Sequence, residues 1–237
     1  MLVNEVITNT MNEGPNDPHI FKAIFLAGGP GSGKGFVVKN LIGRDQYALK
    51  VVNSDDVYEK LASIAKPVPL DLKDPEVVAS PQGQETRNKA KRLTVSREGN
   101  YLEGRLGLII DGTAKEETKV KQQKQKLEAL GYETMMVFVN TNIEIAQQRN
   151  KKRDRQLPDE MVTKMWHSVQ DNLMKFQQLF GNQNFYLIDN SGGLEDPDRK
   201  ENFVRVEKAI RAFVNSPPSK SCLLYTSPSP RDRTRSR

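Results

Sequence analysis

The chain has 237 residues and a formal net charge of +6, with 36% hydrophobic and 28% charged residues. This balance is typical of one soluble α/β domain with a sizeable core, and no apolar run is long enough to predict a membrane span. The first residues lack the basic start and the apolar centre of a secretory signal, so we expect a cytoplasmic protein.

Both ends of the sequence differ in composition from the part between them. Residues 1–19 are polar and predict a mobile arm, residues 20–216 predict the folded domain, and residues 217–237 predict a disordered tail. From Cys222 on, CLLYTSPSPRD resembles the translation of an adapter used in sequencing libraries. The residues from Cys222 on supply half of the net charge, so the basic composition is weak evidence for nucleic-acid binding. It also holds the only cysteine, which excludes a disulfide framework, a cysteine metal site and a thiol nucleophile.

Residues 23–42 predict a strand, a phosphate-binding loop and a helix. The continuous apolar segment 23–26 is typical of a buried parallel strand, and apolar residues over 37–42 recur at helical spacing. Between them the sequence satisfies G-x-x-x-x-G-K, in which glycines let backbone N–H groups approach phosphate oxygens and the lysine reaches the terminal phosphates. The predicted cofactor-binding residues are Gly29, Pro30, Gly31, Ser32, Gly33, Lys34 and Gly35.

One position of this loop departs from the common pattern. Gly35 stands where a magnesium-binding Ser or Thr usually follows the lysine. The octet GGPGSGKG is similar to the loop of nucleoside monophosphate kinases, which also carry glycine there. We therefore expect Mg²⁺ to be held mainly by carboxylates and water, which suits an ion that keeps several waters.

The next segments predict a second strand over 48–53 that delivers Ser54, Asp55 and Asp56 at the edge where parallel sheets bind ligands. A helix is predicted over 57–65. Four prolines between residues 66 and 84 predict the longest loop of the chain, either a functional flap or a mobile insert. The basic helix predicted over 85–104 is either a solvated face or a surface for substrate phosphates.

The third predicted strand covers residues 106–110 and is followed directly by Asp111. An acidic residue in this place, downstream of a phosphate loop, is either a magnesium ligand or a turn former. A helix over 116–130, ended by a glycine, and a strand over 133–140 follow. Thr141 and Glu144 predict a capping box that opens the next helix. That helix carries a basic cluster, either a solvated helix end or a clamp in which Arg149 and Arg153 share one face and hold phosphates.

Apolar residues at helical spacing over 158–180 predict core packing, a fifth strand is predicted over 184–189, and a last helix begins at Pro197. Strands and helices alternate throughout. With right-handed crossovers, this order predicts an α/β P-loop NTPase sandwich of three layers, with a five-stranded parallel sheet covered on both faces.

The order of these motifs resembles a known family. An N-x-D-D sequence at 53–56 follows the second strand, Asp111 follows the third and R-N-x-x-R at 149–153 follows the fourth. This constellation is similar to the kinase domain of bacteriophage polynucleotide kinase and, more loosely, to zeta-toxin kinases, and the stretch from LGLIIDGT to QQRNKKRD resembles kinase-like proteins of marine phages.

The resemblance implies phosphoryl transfer from ATP, with Mg²⁺, to a hydroxyl group. It implies Asp55 as the general base, Lys34 on the donor phosphates, and Arg149 and Arg153 as lid arginines. Tyr58 stands where polynucleotide kinases place an arginine that helps bind the acceptor phosphate. The implied partner is therefore a small-molecule or nucleic-acid hydroxyl acceptor, with no membrane.

Two other functions stay open. A nucleoside monophosphate kinase would carry D-G-F-P-R after the third strand, whereas this chain has Asp111, Gly112, Thr113 and Ala114. A nucleotide-binding switch or toxin-like regulator with little turnover is favoured by the missing hydroxyl at Gly35. Within the kinase hypothesis, a polynucleotide 5′-hydroxyl, a sugar nucleotide and another small metabolite are alternative acceptors, and the sequence does not indicate an oligomeric state.

Overall fold

The structure is a computed structural model, and it describes residues 19–42, 49–153, 156–192 and 196–219. Almost all of the predicted N-terminal arm, nearly the whole predicted tail with its adapter-like sequence, and the last arginine of the basic cluster lie outside these residues. Within them, no helix is long and apolar enough to cross a membrane.

Five strands form one sheet, and every neighbouring pair runs parallel. In space the strands lie in the order β2-β3-β1-β4-β5. Their bounds are β1 Lys22–Ala27, β2 Lys50–Val52, β3 Leu108–Asp111, β4 Glu133–Asn140 and β5 Phe185–Asp189. The predicted fold class is confirmed, because the sheet has five parallel strands and the helices lie between them in sequence.

Nine helices of the described residues connect or follow the strands. They are α1 Lys34–Val37, α2 Ser54–Ser63, α3 Pro75–Ala79, α4 Pro81–Glu103, α5 Glu117–Ala129, α6 Ile143–Lys151, α7 Asp159–Gln170, α8 Leu173–Phe180 and α9 Pro197–Asn215. Helix α1 continues directly into a π-helical turn, Val38–Ile42. Helix α5 is followed by Gly131 at a φ of 93°, as the predicted glycine stop requires.

The strand β1 is buried on both faces, and its alternate side chains enter different cores. Ile24 and Leu26 pack with the π-helical turn and with α9 on one face. Ala23 and Phe25 pack on the other face with α5 and α8. This double burial explains why β1 is a continuous apolar run rather than an alternating one.

A third, smaller apolar cluster lies apart from the sheet. Val57 and Tyr58 of α2 pack against Ala90 of α4, with Leu61 and Leu72 partly buried beside them. Apart from Ala90, only Gly83 is buried among the residues of α4, so most of this long helix faces solvent. The apolar contact between α2 and α4 is therefore small, whereas Tyr101 and Leu102 at the end of α4 pack against the core on one face of the sheet.

The prediction of a long loop over 66–84 is wrong. Helix α3 lies inside this stretch, and α4 begins at Pro81, four residues earlier than predicted. The prolines are the reason: Pro75 and Pro81 each occupy the first position of a helix, where no N–H is needed. The side chains of Asp74 and Ser80 cap the two helices by accepting backbone N–H groups.

Two further helix predictions need correction. The predicted capping box of Thr141 and Glu144 is wrong, because the N-cap of α6 is Asn142, which accepts the N–H of Ile145 at 3.0 Å. The apolar stripe over 158–180 belongs to two helices, α7 and α8. Between them the buried side chain of Asn172 donates to the carbonyls of residues 114 and 115.

Candidate active site

The carboxyl ends of β1 and β3 bring the phosphate loop and Asp111 together. Asp111 is paired in the sheet register with Leu26, two residues before the loop begins at Gly28. From β1 the chain passes to the β2–β3 side of the sheet, and β4 and β5 lie on the other side. Ligands of open parallel sheets bind where the strand order reverses in this way.

The loop is held against α6 through Gly31. This residue has a φ of 75°, in the left-handed region that favours glycine. A Cβ atom here would lie 2.2 Å from the backbone carbonyl oxygen of Ala146. The sequence therefore needs glycine at this position for two reasons, the backbone angle and the contact with α6.

Lys34 stands at the start of α1 with its side chain folded back over the loop. Its Nζ donates a hydrogen bond of 2.7 Å to the carbonyl oxygen of Gly28. Burial lowers the pKa of Lys34 below its ordinary value, while the negative charges of Asp111 and Asp55 oppose this shift. The positive charge of Arg153 acts in the same direction as burial. Three predicted site residues are therefore close enough to influence the lysine electrostatically.

Asn53 joins the acidic residues of the site. Its Nδ2 donates to Asp111 at 2.8 Å and to Asp56 at 3.2 Å. Its Oδ1 accepts the backbone N–H of Asp55 at 2.8 Å, which makes Asn53 the N-cap of α2. One amide side chain thus fixes the end of β3 relative to the first turn of α2.

The electrostatics of Asp111 follow from this position. Burial raises the pKa of its carboxyl above the ordinary value, and the neighbouring carboxylates of Asp56 and Asp55 add to the rise. Lys34 and the hydrogen bond from Asn53 oppose it. A bound cation would relieve the repulsion among these carboxylates. The side chain of Asp55, in the first turn of α2, is exposed.

Arg149 and Arg153 are not equivalent in the structure. Arg149 lies on α6 and donates to the backbone carbonyls of Asn190 at 3.0 Å and of Gly31 at 3.4 Å. Burial, followed by the charge of Arg199, lowers the pKa of Arg149. Arg153 is exposed and lies beyond the end of α6 at Lys151, so the prediction that both arginines share a helix face is wrong.

The loop that carries Arg153 is closed by Asn150, the second residue of the R-N-x-x-R sequence. The buried side chain of Asn150 donates to the carbonyl of Leu157 at 2.7 Å and accepts its N–H at 3.1 Å. This pair of hydrogen bonds holds the two ends of the connection between α6 and α7. The arginine therefore projects from a tethered loop rather than from a rigid helix.

Asn190, directly after β5, is the site residue that the sequence analysis missed. Its Nδ2 donates to the carbonyl of Ser32 at 2.7 Å, and its Oδ1 accepts from Arg199 Nε at 3.1 Å. Its backbone carbonyl is the acceptor for Arg149. It is also 2% exposed, so it forms a buried junction between the loop, α6 and α9. A single asparagine after a strand gives no pattern from which contacts so distant in sequence could be read.

An aromatic cluster lies beside this junction. The guanidinium carbon of Arg199 lies 5.4 Å from the ring centroid of Phe36 and 4.9 Å from that of Phe203. The two rings meet edge to face at 5.9 Å. Phe36 is 40% exposed, whereas Arg199 is 9% exposed. Sequence analysis assigned no role to Phe36.

Two observations bear on the predicted cofactors. Within the described residues no group of three or more His, Cys, Asp or Glu side chains could hold a metal by itself. Mg²⁺ usually takes one or two carboxylates and completes its shell with water and substrate phosphates, so the single carboxylate of Asp111 fits this ion. The hydroxyl of Ser32, buried in the loop, has no hydrogen-bond partner in the part of the chain that the structure describes. A phosphate group fits a loop with such an unsatisfied donor.

One of the basic side chains of α4, that of Arg87, lies against α2. Arg87 lies with its guanidinium carbon 5.9 Å from the ring centroid of Tyr58, which is buried. The remaining basic side chains of the 85–104 prediction are exposed, and these are Lys89, Lys91, Arg92 and Arg97. An open cleft of ≈ 480 Å³ lies between residues 67–74 and the start of α4, and none of the predicted site residues lines it.

Comparison with known proteins identifies related sequences and folds. The model of the zeta toxin family matches residues 6–194. No curated protein sequence gives a significant match. Among solved structures, one from the PezAT chromosomal toxin–antitoxin system of Streptococcus pneumoniae is 16% identical, with a TM-score of 0.55, over 88% of this chain and 94% of its own.

The AvrRxo1-ORF1:ORF2 complex is a second structural neighbour. Its structure with ATP is 12% identical with a TM-score of 0.55, and the alignment covers 94% of this chain and 87% of that chain. Its structure with sulphate ions is 13% identical with a TM-score of 0.58, over the same shares of the two chains. These likenesses support the P-loop kinase fold, and the family match confirms the predicted resemblance to zeta-toxin kinases.

Proposed function

Because the chain belongs to the zeta toxin family, we propose that it transfers the γ-phosphoryl group of ATP to a hydroxyl group of an acceptor molecule. The observation that carries the proposal is the meeting of Lys34, Asp111 and Asp55 at the carboxyl edge of the sheet, within electrostatic reach of one another. A lysine for phosphates, a carboxylate for a cation and a second carboxylate for a proton are the groups that such a transfer requires.

The donor phosphates would lie in the loop formed by residues 28–34, which we call the donor loop. Lys34 would exchange its hydrogen bond with Gly28 for one to the terminal phosphates. Arg149 is fixed beside the donor loop and Arg153 projects from a tethered connection, so the first would hold phosphates and the second would close over them. Phosphoryl transfer depends mainly on such positioning and charge neutralisation.

Asp111 would hold Mg²⁺ together with water and the donor phosphates. The ion supplies neutralisation of the charge that develops on the phosphate oxygens. Gly35 provides no hydroxyl ligand, so the site would depend on Asp111 more than a loop with Ser or Thr does. The raised pKa of the Asp111 carboxyl fits this role, because a buried acid among other acids gains most from a neighbouring cation.

The acceptor would approach from α2, where Asp55 is exposed. Its carboxylate would accept the proton of the attacking hydroxyl as the oxygen–phosphorus bond forms and the bond to the leaving ADP oxygen breaks. We call the segment α2, α3 and α4 the acceptor side. Its basic face on α4 favours an acceptor that carries phosphate, such as a nucleic acid with a 5′-hydroxyl or a sugar nucleotide.

The test is transfer of label from γ-labelled ATP with Mg²⁺ to candidate acceptors offered in parallel. These are 5′-hydroxyl oligonucleotides, nucleoside monophosphates and sugar nucleotides. Asp55→Asn should lose the transfer while its affinity for ATP stays unchanged, and Asp71→Asn, on the exposed loop before α3, serves as the matched control. Labelling of an acceptor that survives in Asp55→Asn would remove Asp55 from the mechanism.

A second function is favoured by two observations, the glycine at position 35 and the source of one structurally similar protein. The loop lacks the usual hydroxyl ligand, and the PezAT structure belongs to a toxin–antitoxin system. An ATP-binding toxin-like protein with little turnover, controlled by a protein partner, would share this site. ATP binding without labelling of any acceptor would favour this second function over the first.

A further inference from the structure

The exposed aromatic ring at the start of α1 has no role in the transfer described above. Phe36 is the third residue of α1, two positions after Lys34. A helix rises about 1.5 Å per residue, so the backbone of Phe36 lies only about 3 Å along the axis from that of the phosphate-binding lysine. An apolar ring that is 40% exposed therefore lies on the first turn of the helix that follows the donor loop.

This ring is held by the buried side chain of Arg199 and the partly buried ring of Phe203. The guanidinium of Arg199 lies 5.4 Å from the ring centroid of Phe36, and the ring of Phe203 meets it edge to face. Arg199 is itself held by Asn190, which also binds the carbonyl of Ser32 in the donor loop. The position of the ring relative to the donor loop is therefore fixed in two ways. One is the backbone of α1, and the other is the series of side-chain contacts through Arg199 and Asn190.

We propose that Phe36 is the stacking surface for the base of the donor nucleotide, with Arg199 and Phe203 as the residues that position it. The inference rests on the proposed function, because it takes the donor loop as the site of the phosphates. The ligand class is a nucleoside triphosphate whose planar base covers the exposed part of the ring. Base–aromatic stacking favours large ring systems and reads no hydrogen-bond pattern, so the surface selects for the presence of a base.

The ring of Phe36 packs against Phe203 and Arg199 and still leaves part of its surface exposed. The positively charged guanidinium of Arg199 holds the ring of Phe36 through a cation–π contact and leaves the exposed part of the ring uncovered. A nucleoside triphosphate bound by both its phosphates and its base gains orientation that phosphates alone cannot give.

The test compares two ligands that share phosphates and differ in the base. Affinities of the full chain for ATP and for inorganic tripolyphosphate are measured with Mg²⁺ by calorimetry. Phe36→Leu keeps an apolar side chain and removes the aromatic face, so it should lower ATP affinity about tenfold and change tripolyphosphate affinity less than about twofold. Phe36→Tyr keeps the ring and should retain the wild-type affinity for ATP.

Met174→Ala, at an apolar side chain of α8 that is 62% exposed, is the control for loss of apolar surface as such. An unchanged ATP affinity in Phe36→Leu, or an equal loss for both ligands, would overturn the inference and leave the proposed function intact. If the wild-type chain binds neither ligand, both the proposed function and this inference are wrong.

Discussion

The donor loop and the acceptor side are attached to the protein in different ways. The donor loop is enclosed by α6 at Gly31 and by Asn190 at Ser32, and it grows directly out of the buried strand β1. The acceptor side rests on the small cluster around Tyr58 and Ala90 and exposes most of α4.

This difference in attachment suits the two regions to different tasks. A phosphate site that serves one donor gains from rigidity, because preorganised groups need not be ordered when the ligand binds. A surface that must admit an acceptor and close over it is drawn from the less stable parts of a fold. We therefore expect changes on the donor side to affect affinity and rate sharply, and changes on the acceptor side to affect local mobility first.

The largest effect is expected from the charged groups next to the donor loop. Lys34→Ala and Arg153→Ala should fold normally and lose turnover by about 10³-fold or more, because each removes charge that neutralises the transferred phosphoryl group. Initial rates with saturating acceptor measure the loss. Lys39→Ala and Lys152→Ala, which remove exposed cations of the same two segments, should keep near-wild-type rates. Near-wild-type turnover in either site variant would exclude that residue from the mechanism.

The next largest effect is expected at Asn190. Asn190→Ala leaves the carbonyl of Ser32 and the buried Arg199 without their hydrogen bonds, at a cost of about 1–3 kcal/mol in the free energy of unfolding. The donor loop would lose its contact with the end of β5, so ATP affinity should fall about tenfold. Urea unfolding and calorimetry measure the two quantities. Asn184→Ala, at the exposed residue directly before β5, is the control, and equal behaviour of the two variants would contradict the role of Asn190.

An intermediate effect is expected at the far end of β1, where Lys22 is fully buried and paired with Glu133. Burial alone would raise the pKa of Glu133, but hydrogen bonds from Lys22 and Ser219 lower it below 4.5. A lowered pKa in the folded state gives stability that is complete above pH 4.5 and is lost as the pH falls through the lower folded value.

Glu133→Gln removes this charge and should lower the free energy of unfolding at neutral pH by about 2 kcal/mol. The difference from the wild type should shrink as the pH falls from 4.5 through the lower folded pKa, because the wild-type carboxyl becomes protonated over this range. Urea titrations at neutral and acidic pH test the sign. A difference that stays constant with pH would show that the charge of Glu133 is not the cause. Glu103→Gln, at an exposed residue of α4, is the matched control.

The smallest effect is expected on the acceptor side. Ala90→Leu adds volume to the narrow contact between α2 and α4, and overpacking there should cost about 1 kcal/mol, since the helix can shift toward solvent. Amide hydrogen exchange should accelerate in α2 and α4 and stay unchanged in β1, with ATP affinity unaltered. Val95→Ser, at a side chain that is 68% exposed on the same helix, should change neither quantity. Faster exchange in β1 would contradict the separation of the two sides.

The sequence was sufficient for the parts of the fold that local patterns determine. The apolar run of β1 and the glycines with Lys34 predicted the strand and the donor loop, and acidic residues after two strands predicted the carboxylates of the crevice. Helix ends were harder, because Pro75 and Pro81 serve as both loop breakers and helix starters. At the start of α6, the sequence analysis assigned the cap to Thr141, but Asn142 accepts the N–H group.

Other features could not have been read from one sequence. Asn190 and Ser32 are 158 residues apart, and their contact follows from the placement of β5 and the loop after the whole sheet has formed. The break at Asn172 interrupts an apolar stripe that continues with the same spacing on both sides, so only its hydrogen bonds to the segment after β3 reveal it. Arg153 leaves the helix because α6 ends two residues before it, and helix ends are the least predictable boundaries.

The two ends of the described domain lie near each other at the amino end of β1, whereas the candidate active site lies at the carboxyl end. The N–H of His19 donates to the carbonyl of Val214 at 3.0 Å, and Lys22 donates to the hydroxyl of Ser216 at 2.8 Å. Strand β1 separates this meeting point from the donor loop by about 16 Å. Fusion partners or surface tethers attached near residues 19 and 219 would therefore leave nucleotide access free, which makes the domain suitable for immobilised binding measurements.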